Sequence, residues 1–253
     1  LQEYLDDLRL TLMIVSFARV LEVDPGFRSE NVLTTGVSLP ESRYEGEDEF
    51  RSFAGRALER LRSIPAVTAV GMTTMMPFSG ENNSSVTTIE NQVLAPGENP
   101  PVPHYNFVDD GYLAAMGIPL HEGRFFEPTD TADALRVVVI DRHLADRVWP
   151  NESPLGKRLR RGIENVEARG LDEPSPWLTI VGVVGNVKTN DLAGLDDVGT
   201  VYFSQRQSPQ RASWIAVKGE LPEARLTSAV RREIQAIDPE LPLYFDTKML
   251  ATR

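Results

Sequence analysis

With 253 residues the chain has enough bulk for one large core or two modest ones, and its net charge of −11 excludes a general polyanion binder, which needs a positive field over one face. It contains no cysteine, which excludes disulfides, thiolate metal sites and cysteine nucleophiles. No stretch reaches the roughly 20 apolar residues that a membrane-spanning helix requires.

The first ten residues, LQEYLDDLRL, are charged, and Leu8–Leu21 is a short apolar run bounded by Arg9 and Arg19. That run fits either a soluble helix or the trimmed end of a spanning one. A start at Leu1 rather than Met is expected of a fragment, and no secretory leader pattern precedes the first element. In NVLTTGVSLP the residues Leu33, Thr35, Val37 and Leu39 fall on one face at period two, which predicts a strand. In the following EDEFRSFAGRALERLRSI, Phe50, Phe53, Ala54, Ala57, Leu58, Leu61 and Ile64 form one helical stripe. Its first turn is acidic, as the helix dipole favours. Pro65 stops the helix, and AVTAVGMTTM reads as a second strand.

From residue 80 to about 175 the character changes. SGENNSS and APGENPPVP are loops by composition, VTTIENQVL and VPHYNFVDD read as strands, and GYLAAMG reads as a short helix. LRVVVIDRHLADRVW reads as a strand running into a helix, with Leu144, Val148 and Trp149 inward. Pro150 breaks that helix, and KRLRR enters an exposed strand with Leu159 facing in. Residues 161–176 read as a loop or hairpin, and WLTIVGVVGNVK as a buried strand. The strand–helix–strand plan then returns: SWIAVKG, a stripe of Leu226, Val230, Ile234 and Ile237 started by Pro222 and ended by Asp238-Pro239, and LPLYFD. Two such halves combine into one ferredoxin-like sheet with both helices on one face. The expected fold is therefore α+β, a discontinuous ferredoxin-like unit interrupted by a mixed α/β insertion.

No motif in the chain carries chemistry. His104, His121 and His143 lack metal-ligand spacing and read as ordinary histidines. The nucleophile-elbow pattern Gly-x-Ser-x-Gly is absent. The acidic pairs Asp6-Asp7, Asp109-Asp110 and Asp196-Asp197 read as solvated loops or caps, because adjacent acids point to different sides. Gly182 and Gly185 lack the third glycine and the helix of a dinucleotide fingerprint, so a bulged or closely packed strand is the better reading. Lys157, Arg158, Arg160 and Arg161 are dense for an acidic chain, yet Gly156-Lys157 lacks both flanks of a P-loop. They read as a solvated face or as cations offsetting Glu152, Glu164 and Glu167. Catalytic, cofactor-binding and metal-binding residues are accordingly expected to be none, with no cofactor and no nucleic-acid partner.

Four segments in order, VDPGFRSENVLTTGVSLP, GYLAAMGIPLHEGRFFEPTD, VVVIDRHLADRVWPNESPLGKRLRRG and WLTIVGVVGNVK, give a resemblance to the MacB-like periplasmic core domain of FtsX/MacB-type ABC transporter permeases. It covers about Val23 to Phe245, and its wording resembles the large, often duplicated permeases of acidobacteria and their relatives. The resemblance implies a "porter" subdomain of βαβ units and an inserted "sabre" subdomain. On that basis residues 1–22 are a membrane-proximal helix or a replacement of it, 23–80 the first porter-like half, 81–175 the sabre-like insertion and 176–253 the second porter-like half. It also implies a non-catalytic periplasmic domain of an inner-membrane protein that transmits ATP-driven motion and contacts partners or exported substrate. The implied partners are a cytoplasmic ABC ATPase subunit acting through the permease helices, a periplasmic adaptor, an outer-membrane channel and a second permease copy. The charged LQEYLDDLRL departs from the family at the first membrane helix. Two other classes stay open on the residues alone: a small-ligand-binding or sensory module of the cell envelope, and a hydrolase.

Overall fold

A computed structural model describes residues 23–162, 175–189 and 198–246. The readings at Leu8–Leu21, Asp6-Asp7, Asp196-Asp197, Glu164 and Glu167 lie outside them.

The first half is β1 (Val32–Ser38), α1 (Glu47–Arg62) and β2 (Val67–Thr73). The last is β10 (Ala212–Gly219), α4 (Glu223–Gln235) and β11 (Tyr244–Asp246). Their strands order as β11-β1-β10-β2, every neighbour antiparallel, so β1 and β2 run parallel with β10 between them. This is the split βαβ arrangement of a ferredoxin-like sheet.

The period-two alternation explains its packing. Leu33, Val37, Ile215, Val217, Val70 and Met72 form one core cluster with Phe53, Ala57 and Leu61 of α1 and Leu226, Val230 and Ile234 of α4. Both helices therefore lie on one face. Glu47, Asp48 and Glu49 occupy the first turn of α1 and Arg60 and Arg62 its last, which complements the helix dipole at both ends. Across the two helices Arg60 donates to Glu233 at 3.0 Å.

The remaining elements are β3 (Thr87–Ile89), β4 (His104–Val108), α2 (Tyr112–Met116), β5 (Leu120–Gly123), β6 (Val137–Asp141), α3 (Arg142–Val148), β7 (Arg158–Arg161), β8 (Leu178–Val184) and β9 (Thr200–Ser204). They extend the same sheet from β2 in the order β4-β9-β6-β8-β7-β3, with β5 on the half of β8's edge that β7 leaves open. β8 and β9 follow residue 175 in sequence but pair with β5, β6, β7 and β4 rather than with the ferredoxin-like strands. α3 covers one face of this second region, where Leu144, Ala145 and Trp149 pack on Val138, Ile140, Leu159, Ile180 and Phe203. Asp141 caps α3 by accepting the Leu144 amide at 2.9 Å.

Three elements differ from the sequence reading. VTTIENQVL forms only three strand residues, because Asn91 takes a left-handed φ of 60° and turns the chain. β5 and β9 carry no readable alternation: β5 is exposed throughout and β9 buried throughout.

Thr35 is fully buried in β1, and its hydroxyl has no hydrogen-bond partner among the described residues. Valine keeps the shape and removes an unmet polar group. Thr35→Val is expected to stabilise the domain by about 1 kcal/mol and to raise the thermal midpoint by about 2–4 °C, read by calorimetry.

Candidate functional site

Among the described residues the two regions of the sheet meet at a single bridge, Thr73 of β2 opposite Val108 of β4. A one-pair ladder is too short to hold a sheet, and side chains complete the join. The carboxamide of Asn106 pairs with the backbone of Met75 as a strand would: Oδ1 accepts the Met75 amide at 3.1 Å, and Nδ2 donates to the Met75 carbonyl at 3.1 Å. Thr73 Oγ1 donates to the same Oδ1 at 2.6 Å. On the other side of the bridge Asp109 repeats the device. Its amide donates to the Met72 carbonyl at 3.1 Å, and its Oδ1 accepts the Met72 amide at 2.6 Å.

Asp109 also receives Arg62, the last residue of α1, at 3.1 Å on Oδ2, and the same guanidinium nitrogen reaches Asp110 Oδ1 at 3.1 Å. Arg206, in the turn between β9 and β10, donates to Asp110 Oδ2 at 2.9 Å. Two acids and two arginines thus gather where α1, β2, β4 and the β9–β10 turn converge. Burial pushes the Asp109 carboxyl up to about 7, against the pull of the Met72 amide and with a further push from Asp110. Burial acts the same way on Asp110, but Arg206 and Arg62 outweigh it and hold that carboxyl below the usual value.

The short helix α2 sits directly on this corner. A Cβ on Gly71 would stand 2.5 Å from the Tyr112 Cα, and one on Gly111 would stand 2.0 Å from the Val70 carbonyl oxygen. Only glycine allows that approach. α2 then shares one cluster with both regions: Tyr112, Ala115 and Met116 pack among Val32 and Ala216 on one side and Val137, Val139 and Tyr202 on the other. Burial raises the Tyr112 phenol well above its ordinary range, against hydrogen bonds to Thr73 and Asn106. The segment from Asn106 to Met116 is therefore the pin of the molecule.

The acidic pair Asp109-Asp110 corrects the sequence reading of a solvated loop. Asp109 is buried because its partners come from positions 37 and 47 residues away, which no local pattern displays.

The histidines are not brought together in one element. His104 is buried on β4 with Nδ1 at 2.9 Å from Ser84 Oγ, His121 is exposed on β5, and the His143 amide of α3 donates to Asn186. Among the described residues no group of three or more His, Cys, Asp or Glu is placed to hold a metal ion. Gly182 and Gly185 serve close packing: a Cβ on Gly182 would meet the Arg124 carbonyl oxygen at 2.1 Å, and one on Gly185 would meet the Pro119 ring at 2.9 Å. β8 is bulged against β6 at Val138–Val139.

The basic stretch on β7 is neutralised or stacked. Lys157 pairs with Glu152 at 2.6 Å, Arg158 pairs with Glu90, and the Trp177 ring lies against Arg158 and Arg160 at 5.8 and 4.6 Å. Glu90 lies 68 residues away, beyond any sequence window. In GRFFEPTD, Arg124 grips Asp130 with two bonds of 2.8 and 2.9 Å, closing that turn.

The sequence profile of the MacB-like periplasmic core domain matches residues 10–237. The chain belongs to that family. No curated protein matches it. The fold of this MacB-like domain is shared with the periplasmic region of MacB from Actinobacillus actinomycetemcomitans, at 15% identity and a TM-score of 0.55 over 90% of this chain and 93% of that one. It is shared too with the extracellular domain of the noncanonic ABC-type transporter YknZ from Gram-positive bacteria, at 13% identity and a TM-score of 0.51 over 86% of this chain and 100% of that one. In the MacB-like domain the described residues include no helix long and apolar enough to cross a membrane.

Gly71→Ala is expected to cost about 3 kcal/mol, because backbone rather than a flexible side chain must move. Gly55, inside α1, gives the contrast, since a Cβ added there meets nothing within 4 Å. Gly55→Ala is expected to stabilise by about 0.5–1 kcal/mol. Urea denaturation of the two variants reads both values.

Proposed function

We propose that this domain is the extracytoplasmic part of an ABC transporter permease, a non-catalytic element that transmits ATP-driven motion and contacts partner proteins or exported substrate. The observation that carries the reading is the neighbourhood of β1 and β11. They pair antiparallel, with Thr34 opposite Asp246 and Gly36 opposite Tyr244. The chain therefore enters the ferredoxin-like unit and leaves it at the same end of adjacent strands. A domain inserted between two membrane helices needs that arrangement, since both helices must reach one membrane surface. The family membership supports the same reading.

Within this proposal the porter-like unit is the β11-β1-β10-β2 sheet with α1 and α4, and the sabre-like unit is the remaining sheet with α3. The boundaries 23–80, 81–175 and 176–253 describe the order of the chain, while β8 and β9 join the sabre-like sheet from beyond residue 175. Motion arriving through the permease helices enters at β1 and β11 and passes to the sabre-like unit through the Asn106–Met116 pin. The cytoplasmic ATPase subunit lies at the start of that path, and a periplasmic adaptor, an outer-membrane channel and a second permease copy lie along it as partners. A periplasmic location on an inner-membrane protein follows from the same reading.

The test uses the absence of cysteine from these 253 residues, with the parent permease as the labelling blank. Val93 is 93% exposed. A Val93→Cys permease expressed with its flanking segments is expected to react with a membrane-impermeant maleimide in cells whose inner membrane is intact. Reaction only after that membrane is broken would contradict an extracytoplasmic domain.

A further inference from the structure

We propose that the Arg62–Asp109–Asp110–Arg206 cluster is a proton-responsive latch across the corner where β4 and α2 meet β2 and the end of α1. It goes beyond the transport reading above and does not depend on it.

Three features of the geometry support the latch. The corner has one bridge pair among the described residues, flanked by the backbone bonds Thr74–Phe107 and Asp109–Met72, so side-chain contacts carry much of its closure. Asp109 is central to those contacts, holding both polar groups of the Met72 backbone and the guanidinium of Arg62. And the charges around it are unevenly shared. Arg62 reaches both carboxylates through one nitrogen, while Arg206 serves Asp110 alone.

The groups that face Asp109 are Arg62 from α1, Asp110 and the Gly111 amide from its own turn, and Arg206 from the β9–β10 turn through Asp110. β2 contributes the Met72 amide. Asp110 stays ionised through this range because two arginines hold it. Asp109, buried beside that charge, is the group left to take up the proton, with its carboxyl raised from 3.8 to about 7.

The direction follows by linkage. A carboxyl whose value is higher in the closed corner than in the open one favours closure while it is protonated. That contribution is fully present below the open-state value of 3.8 and is lost as pH rises through about 7. Closure of the corner therefore weakens between acid and mildly alkaline conditions. A proton taken up by Asp109 leaves Arg62 bonded to Asp110, so no arginine is stranded.

Two NMR measurements on the chain test this. The Asp109 carboxyl carbon is expected to titrate near neutral pH. The protection factor of the Met72 amide, corrected for the intrinsic pH dependence of exchange, is expected to fall about tenfold between about pH 6 and pH 8, the window around the raised carboxyl. Asp109→Asn, neutral at every pH, is expected to flatten the Met72 profile. Asp110→Asn removes the neighbouring charge and is expected to move the Asp109 midpoint to lower pH, which keeps the test decisive if the Asp109 variant fails to fold. An Asp109 carboxyl that stays ionised down to about pH 5, or Met72 protection that is flat in the native chain, overturns the latch. A midpoint unmoved by Asp110→Asn overturns it as well.

Discussion

The join between β2 and β4 is the constraint on which the rest of this molecule depends. Among the described residues eleven strands form one connected sheet, yet strand pairing between its two regions is reduced to one bridge, Thr73 opposite Val108, with a backbone bond on either side of it. Backbone ladders hold each region internally. Between them, Asn106 and Asp109 complete the missing pairing with their side chains, one on Met75 and the other on Met72. Buried polar groups are costly unless every partner is present. A corner built this way is specific in geometry and sensitive to single changes. The glycine contacts at Gly71 and Gly111 have the same character, since they admit α2 only at one place.

In the proposed role, this construction bears on how force would pass through the domain. The ferredoxin-like unit is tied by long antiparallel pairings, and β1 with β10 runs in register over seven residues. The second region is tied by β6 to β8 and β9 and by β4 to β9. Each region is thus stiffer than the corner between them. α2 bridges that corner, with its apolar side chains in a cluster drawn from both regions. In the proposed role, motion delivered at β1 and β11 reaches the second region as a displacement of α2 and of the end of β4 that leads into it, Asn106–Asp110.

The ferredoxin-like unit was legible in the sequence because its signals are local. A period-two strand, a 3.6-period stripe and a proline stop occur within one window, twice, and the pairing of the halves follows from their matching plan. The buried helix face of α1 matches its stripe residue by residue at Phe53, Ala57, Leu58 and Leu61. β9 was not legible, because Thr200–Ser204 is buried on both faces and has no alternation to read. β5 was not legible for the opposite reason, as Leu120–Gly123 presents four exposed residues and is a strand by its pairing with β8. The junction was hidden most completely. Asp109-Asp110 looks like any acidic loop until Arg62, Met72 and Arg206 are brought to it from three other elements. The basic stretch on β7 drew notice for its charge density, but its role is to pair with Glu90 and Glu152 and to stack on Trp177.

The Asn106 and Asp109 side chains, with the α2 cluster, couple the unfolding of the two regions, so loss of Asn106 weakens that coupling. Phe50 packs on the core of the ferredoxin-like region and Trp149 lies in the core of the other, so two single-tryptophan variants, one carrying Phe50→Trp and one keeping Trp149, report each separately. The decisive measurement is urea unfolding followed at each tryptophan, with and without Asn106→Leu. Coincident transitions in the parent and separated midpoints in the Asn106→Leu chain are the expected result. Transitions that remain coincident after Asn106→Leu would contradict the join.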